Sequence, residues 1–530
     1  MAEQPQFEVL IVGGGLLGTT AALVLAHYGI KVVLVEKKSW SDTLLAKSAR
    51  IDEETMLVLE QIGVLKELLP LLHPLEGIQI VDKRARVLMQ FNQTSKSDFA
   101  PLYGFYQPEI QTVLQKKARK NPLITIWDNQ EVETLEEQDN GSILAYLSTP
   151  KKLKYSHFTT DYVLVCNGQY SRIANFLGIA IQDYKYSSSV LCVDATAATA
   201  VDQPKFVQTI YDSEFPVTRI PHGAYRERWE FQIPTAQIND PAIHQKVRTL
   251  LEEWSKRPLE IQSSFVYSFE TKILEKWQDG RIFIAGDAAH IMPPYLGLSL
   301  SAGIKDVANL AAKWSLVQQQ KMPATTLQRY QIERIDNVKY LIRLNLWVKR
   351  LFESSKLKWI RFFVPIIPKW LLTRTWDTSS LVRSGTLGSR LRGAGTVALL
   401  PLVINNKAKE VGLNSILGDY YTIIAMDSNP VDAIQVRYLE YLAKMETKFI
   451  RIIPSQKTFL EDHRVAESVY DQKGKVAAMM QEKKAAFLIV RPDRIVYEYC
   501  SNTQKLNAAL AQLMISEPPY VVNKNDDDDE

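Results

Sequence analysis

The stretch Gly13-Gly14-Gly15-Leu16-Leu17-Gly18 constrains this chain more than any other, because of what flanks it. Residues 7–12 form a short run of Val, Leu and Ile, the composition of a buried strand. Residues 19–28 have helical composition, and Gly29 follows where a helix C-terminus favours glycine. Residues 30–35 read as a second strand with Glu36 at its tip, 21 residues after Gly15. In such a strand–turn–helix, Gly13 permits the tight turn, Gly15 lets backbone approach a diphosphate, and Gly18 lets helix and strand pack closely. The helix N-terminus at Leu16 and Leu17 offers free N–H groups and partial positive charge to phosphate oxygens. Glu36, with Lys37 beside it, is placed to accept hydrogen bonds from an adenosine ribose. A dinucleotide site is predicted at these residues, and FAD and NAD both remain open.

Length and composition narrow the rest. A chain of 530 residues exceeds a single core and predicts roughly three to four domains. The 63 Lys and Arg against 59 Asp and Glu leave a net charge of +4, too faint a bias to predict nucleic-acid binding. Only Cys166, Cys192 and Cys500 occur, without metal-ligand spacing or a CxxC, so neither a disulfide framework nor a metal site is expected. The polar N-terminus does not read as a signal peptide, and no apolar run reaches the length of a membrane span. A cytoplasmic α/β protein is the expectation.

The signal that discriminates between dinucleotides lies far downstream. Residues 281–285 read as a buried strand leading into Gly286-Asp287-Ala288-Ala289-His290-Ile291-Met292-Pro293-Pro294, and a helical pattern starts near Leu298. This resembles the GD motif of the aromatic-ring flavoprotein monooxygenases, the family that includes para-hydroxybenzoate hydroxylase. The resemblance implies that Asp287 hydrogen-bonds the ribityl chain of FAD. It also implies that Gly286, Pro294, Gly297, Leu298 and Ser299 line the flavin, with the following helix pointing its N-terminus at the pyrimidine ring. A helix N-terminus there suits an anionic reduced flavin.

Other segments fall in the family's order. Tyr103-Gly104-Phe105-Tyr106-Gln107-Pro108-Glu109 resembles the segment whose Gln, here Gln107, contacts FAD. Asn167-Gly168-Gln169-Tyr170-Ser171-Arg172 resembles the DG segment, which implies FAD contacts at Asn167 and Gly168. Lys47-Ser48-Ala49-Arg50-Ile51-Asp52-Glu53-Glu54 resembles the stretch that sets a basic residue beside the flavin; Lys47 takes that position, with Arg50 as its neighbour. That stretch and Arg226-Glu227-Arg228-Trp229-Glu230-Phe231 look most like 3-(3-hydroxyphenyl)propionate hydroxylase and its relatives. Two departures stand out. Asn167 replaces the usual Asp and removes a charge, and Gly297-Leu298-Ser299 replaces Gly-Gln-Gly. Every residue but proline keeps a backbone N–H, so FAD remains the expected cofactor, while turnover and flavin mobility are placed in question.

The expected fold is α/β: a Rossmann-like FAD-binding domain (1–75, 100–185 and 275–340) interleaved with an antiparallel-sheet substrate domain (76–99 and 186–274). Residues 341–400 read as a helical segment, 401–520 as a thioredoxin-like C-terminal domain without redox cysteines, and 521–530 as an acidic tail. The C-terminal assignment rests on residues 486–493, which resemble the strand-to-turn segment of that domain in phenol hydroxylase relatives; packing or homodimer formation is its expected role. Residues 340–376 interleave Lys and Arg with Trp347, Trp359, Phe362, Phe363, Trp370 and Trp376. An interfacial anchor on anionic membrane is one reading. Helices packed on the flavin domain with basic outer faces are the favoured one.

The family's chemistry belongs to its cofactor, and the protein contributes placement, desolvation and charge. The resemblance therefore implies that NADH or NADPH and O2 serve as co-substrates, hydroxylating a phenolic or polyketide-like aromatic through a flavin C4a-hydroperoxide. Such a site also needs a group that makes phenol into phenolate. His290, His222, Tyr225 and Trp229 are weighed for pocket roles, and none is assigned a catalytic one. Two alternatives on the same fold stay open: a flavin oxidoreductase without oxygen transfer, and a non-hydroxylating assembly protein.

Overall fold

Strand Phe7–Val12 lies between two parallel neighbours, Val32–Glu36 and Tyr155–Val165. Ile124–Asp128 extends this parallel sheet on one side and Ile282–Ile284 on the other. Val9, Leu10 and Ile11 are almost fully buried, as expected of a strand covered on both faces. Helix Leu16–His27 is buried along most of its length, and its small Ala21, Ala22 and Ala26 let it approach the sheet. The hydroxyls of Thr19 and Thr20 donate to the Gly14 and Leu16 carbonyls, so their burial leaves them satisfied.

These observations come from a computed structural model describing residues 7–43, 46–93, 95, 97–149, 154–200, 203–211, 216–233, 240–255, 258–352, 373–376, 381–382, 387, 394–398, 400–454 and 467–516. The chain divides into two units. The first holds residues 1–95, 99–305 and 338–378; the second holds 96–98, 306–337 and 379–530. Residues 306–337, read from the sequence as part of the nucleotide domain, thus cluster with the C-terminal residues.

The first unit also contains a nine-stranded sheet. Its central strands, Ile181–Thr196, Arg226–Ile233 and Glu260–Leu274, pair antiparallel as expected. Two pairs correct that expectation: Phe206–Ile210 runs parallel to Gly77–Val81, and Thr373–Trp376 runs parallel to Val87–Gln93. Parallel neighbours need a crossover connection rather than a hairpin, and these partners come from distant parts of the chain. Alternation sorts the side chains. Leu191, Val193, Trp229, Phe231 and Ile233 pack against helix Pro241–Ser255 through Val247, Leu251 and Trp254. Cys192, Asp194, Arg228 and Glu230 alternate with them and face the other way. Of the basic, aromatic stretch 340–376, residues 353–372 lie outside the described residues, and 373–376 form the edge strand just named.

The second unit builds a seven-stranded sheet. Thr422–Met426, helix Val436–Lys444 and Lys448–Pro454 form a parallel β-α-β unit. Phe487–Val490 and Val496–Cys500 then add antiparallel, followed by helix Thr503–Ser516. This is the expected thioredoxin-like arrangement, and Cys500 is buried within it as a free thiol. The unit's own core includes a buried ionic cluster. Arg491 donates to Glu333 and Asp493, and Lys313 donates to the same Glu333 oxygen at 2.8 Å. Burial alone would raise the Glu333 carboxyl, but these cations hold it well below the usual range.

Candidate functional site

The glycine turn is shaped by contacts that leave no room for a larger residue. Gly13 has φ +105°, and a Cβ on it would sit 2.7 Å from the Asn167 Cα. A Cβ on Gly18 would sit 1.8 Å from the Gly13 carbonyl oxygen, whereas at Gly15 it would meet nothing within 4 Å. The helix N-terminus is therefore tight on its sheet side and open at Gly15. Glu36 closes the turn from across the sheet: its carboxylate accepts from the Gly14 N–H at 2.7 Å and the Lys38 N–H at 3.0 Å. Trp40 Nε1 donates to the Gly14 carbonyl at 2.8 Å, fixing the turn from a third side.

Gly15 opens into a cavity of about 690 Å³ lying wholly within the first unit. It runs past Leu16 and Leu17, past Glu36 and Lys37, and past residues 130–135 to Asn167 and Gly168. At its other end stand Lys47, Arg50, Gln107, Gly286, Asp287, Pro294, Gly297 and Ser299. Of the residues read from the sequence as FAD contacts, only Gly18 and Leu298 do not line it. Gly18 instead packs against the turn, and Leu298 is buried.

The loop carrying Lys47 is held from two sides. Gln107 Oε1 accepts from the Ser48 N–H at 2.7 Å, while its Nε2 donates to Gln111. Arg228 Nη1 donates to the Lys47 carbonyl at 3.1 Å. Lys47 places its ammonium 4.7 Å over the ring of Tyr267. Gln107 thus both lines the cavity and braces the basic loop.

Strand Ile282–Ile284 delivers Gly286 and Asp287 to the cavity. Helix Ser299–Gln318 begins there too, and Ser299 Oγ donates to Asp287 Oδ1 at 2.6 Å. Gly297 has φ +65°, and a Cβ on it would fall 2.3 Å from Arg50 Nε. Arg50 donates to the carbonyls of Pro294 at 3.0 Å and Tyr295 at 3.4 Å, so its guanidinium clasps the turn before the helix.

The nine-stranded sheet contributes Glu230 and Tyr267 to the same cavity. Arg228, fully buried, makes paired bonds to Asp194 at 2.8 Å each. Burial pushes the Glu230 carboxyl above its ordinary range, with Arg50 and Arg228 opposing. Burial, then the Asp287 charge, pushes the Tyr267 phenol well up and keeps it protonated. The sequence motif that holds Glu230 and Arg228 assigns neither a role. Their alternation with Trp229 and Phe231 was the available signal, since it puts them on the face opposite the hydrophobic one.

The residues weighed for pocket roles lie elsewhere. Trp229 is fully buried on the opposite face of the sheet, Tyr225 is 57% exposed, and neither lines the cavity. His290 lies against Trp277 and lines a separate cavity of about 410 Å³. His222 is buried away from both cavities, and that burial pushes its imidazole well below the ordinary value.

Known proteins match this chain over most of its length. A model of the FAD binding domain family matches residues 6–344, and a model of the HcaD C-terminal domain matches residues 395–516. A 3-(3-hydroxy-phenyl)propionate/3-hydroxycinnamic acid hydroxylase of Klebsiella pneumoniae (strain 342) is 24% identical over 524 residues, covering 93% of this chain and 92% of the relative. The enzyme of the same name from Escherichia coli O157:H7 is 24% identical over 520 residues, covering 92% and 91%. Among solved structures, aklavinone-11 hydroxylase in complex with FAD and aklavinone superimposes with a TM-score of 0.72 at 19% identity, covering 97% of this chain and 100% of the other. The flavin-dependent monooxygenase PieE, in complex with FAD and substrate, gives 0.76 at 16% identity, covering 97% and 99%. At those identities the structures speak for the fold.

Proposed function

Because this chain belongs to the FAD-binding-domain family of flavoprotein monooxygenases, we propose that it is an FAD-dependent hydroxylase of a phenolic or polyketide-like aromatic compound, using NADH or NADPH and O2. One observation carries the reading. A single cavity joins the diphosphate turn at Gly15 to Asp287, to the start of helix Ser299–Gln318, and to a sheet face bearing Glu230 and Tyr267. The donors suit FAD along its length. The open N-terminus at Gly15, Leu16 and Leu17 fits the diphosphate, Glu36 and Lys37 fit the adenosine ribose, and Asn167, Gly168 and Asp287 fit the ribityl side. Lys47, Gly286, Pro294, Gly297 and Ser299 fit the ring system, with Gln107 bracing the loop of Lys47.

Bound FAD would supply the electron transfer from NAD(P)H and the oxygen chemistry. The chain supplies position, dryness and charge. Residues 1–75, 100–185 and 275–340 are assigned to the flavin, 76–99 and 186–274 to the substrate. The C-terminal residues 401–520 are assigned to packing or to a homodimer. The relatives' name, hydroxylase of 3-(3-hydroxy-phenyl)propionate and 3-hydroxycinnamic acid, favours a ring that already bears a hydroxyl. Among the described residues no helix is long and apolar enough to cross a membrane.

The test is to purify the protein, record its flavin spectrum, and follow NADH and NADPH oxidation with a panel of phenols. A hydroxylated product seen by mass spectrometry establishes the activity. A protein that gains no flavin spectrum on adding FAD sinks the reading. Bound flavin without phenol-stimulated oxidation leaves a non-hydroxylating flavoprotein, the reading that Asn167 and Leu298-Ser299 would then favour.

A further inference from the structure

We infer that Glu230 is the group that accepts the proton of the substrate's ring hydroxyl, an inference that rests on the aromatic-hydroxylase reading above. The argument begins with alternation. Trp229 and Phe231 are fully buried on the face covered by helix Pro241–Ser255, so Glu230 between them must point to the other face. That face lines the cavity, and Glu230 reaches it. Its cross-strand neighbour is Cys192, and Cys192 in turn pairs with Phe265. A carboxyl has thus been placed on an aromatic, sulfur-bearing surface.

The two arginines near Glu230 make their hydrogen bonds elsewhere. Arg228, on the same strand, turns Nε and Nη2 to Asp194 and Nη1 to the Lys47 carbonyl. Arg50 donates to the carbonyls of Pro294 and Tyr295. Tyr267 and Cys192 are pushed upward by burial and stay protonated. Among the described residues, nothing donates a hydrogen bond to Glu230; burial and distant charge alone shift its carboxyl. A half-buried carboxylate without a donor is poorly solvated, and a ligand hydroxyl entering the cavity supplies the donor it lacks.

The chemistry follows. The phenolic O–H bond breaks, its proton forms an O–H bond with a Glu230 carboxylate oxygen, and the electron pair stays on the phenolate oxygen. The ring becomes electron-rich at the positions ortho and para to that oxygen, with no change in oxidation state in this step. The raised carboxyl brings the base closer to neutrality, where proton transfer is most effective. Arg50 and Arg228 offset the negative charge that the pair carries in either protonation state.

The test compares the FAD-bound wild type with Glu230→Gln and Glu230→Asp. With a phenol that the wild type hydroxylates, E230Q should lose about 100-fold or more in kcat, the scale of a missing general base. The acid limb of the wild-type pH profile should vanish in E230Q and persist in E230D. An E230Q rate within threefold of wild type, with the same acid limb, overturns the proposal. Infrared difference spectra on adding 4-nitrophenol give a readout independent of turnover. A carboxyl band that changes on binding to the wild type, and is missing in E230Q where that variant folds, supports Glu230 even if no phenol is hydroxylated and the activity reading fails. No carboxyl change while 4-nitrophenol binds overturns it.

Discussion

Ser299 Oγ donates to Asp287 Oδ1 at 2.6 Å, joining the start of one helix to the carboxylate that precedes it by a loop. The glycine expected at this position would leave that oxygen to other donors. Here a hydroxyl takes it, which explains how a side chain is accommodated where the resemblance implies close approach. A short bond to a carboxylate is of the stronger kind, and it orients Asp287 toward the cavity. Replacing Ser299 with Ala should weaken FAD binding about tenfold, near 1.4 kcal/mol. Fluorescence titration with FAD measures this, and unchanged or tighter binding would show that Ser299 merely fills space.

The glycines separate folding from ligand approach. Ala at Gly18 would press its Cβ into the Gly13 carbonyl, 1.8 Å away. Gly18→Ala should therefore lower the melting temperature and abolish flavin binding together. Ala at Gly15 meets no protein atom within 4 Å. Gly15→Ala should keep the wild-type melting temperature without FAD yet bind FAD more weakly. Full affinity in Gly15→Ala would remove the diphosphate from that corner.

Much of this site was legible because its pieces are local. The turn at Gly13 to Gly18 and the segment from Gly286 to Ser299 each carry their spacing within one short stretch, so composition and order suffice. The cavity's other wall was not legible, for a physical reason. Arg228 meets Asp194 only because two strands pair in one register, and a slip of one residue would turn both toward the opposite face. Arg50 reaches the carbonyls of Pro294 and Tyr295 across some 245 residues of chain. The parallel strand pairs failed likewise, since pairing direction depends on which distant segments meet. Alternation around Trp229 did predict a strand, and read one step further it separates Glu230 from the hydrophobic face.

Lys305 offers a test by acid. Its ammonium donates to Asp52 at 2.8 Å and Glu54 at 2.9 Å, with all three buried. Burial alone would raise the Asp52 carboxyl, but Lys305 and the hydrogen bonds from Thr55 outweigh it and hold it below the ordinary value. A depressed carboxyl contributes stability that is fully present above its unfolded pKa, about 3.9, and is lost as pH falls through the lower folded one. Lys305→Met should cost about 3–5 kcal/mol by stranding two buried carboxylates. As pH falls the stranded carboxylates take up protons, so this deficit should shrink and the acid limb due to Asp52 should disappear. Urea unfolding between neutral and acid pH measures both, and an unmoved acid limb would refute the assigned role.

Arg228 offers the last test, because it serves the fold and the site through different atoms. Its Nε and Nη2 satisfy Asp194, and Nη1 holds the Lys47 carbonyl. Both members of the ion pair are fully buried, so breaking it strands a charge and should cost about 3–5 kcal/mol. Lysine keeps the charge but lacks the planar fork and cannot make all three bonds. Arg228→Lys should therefore retain a folded sheet while loosening the loop of Lys47 and Ser48, and its FAD affinity should fall. Asp194→Asn removes the charge but leaves Nη1 free to hold that loop. Its stability should fall while FAD affinity stays near wild type. Comparing urea midpoints with FAD titrations for the two variants checks the division. If both variants lose stability and affinity in the same proportion, Arg228 acts on the flavin site only through the stability of the sheet.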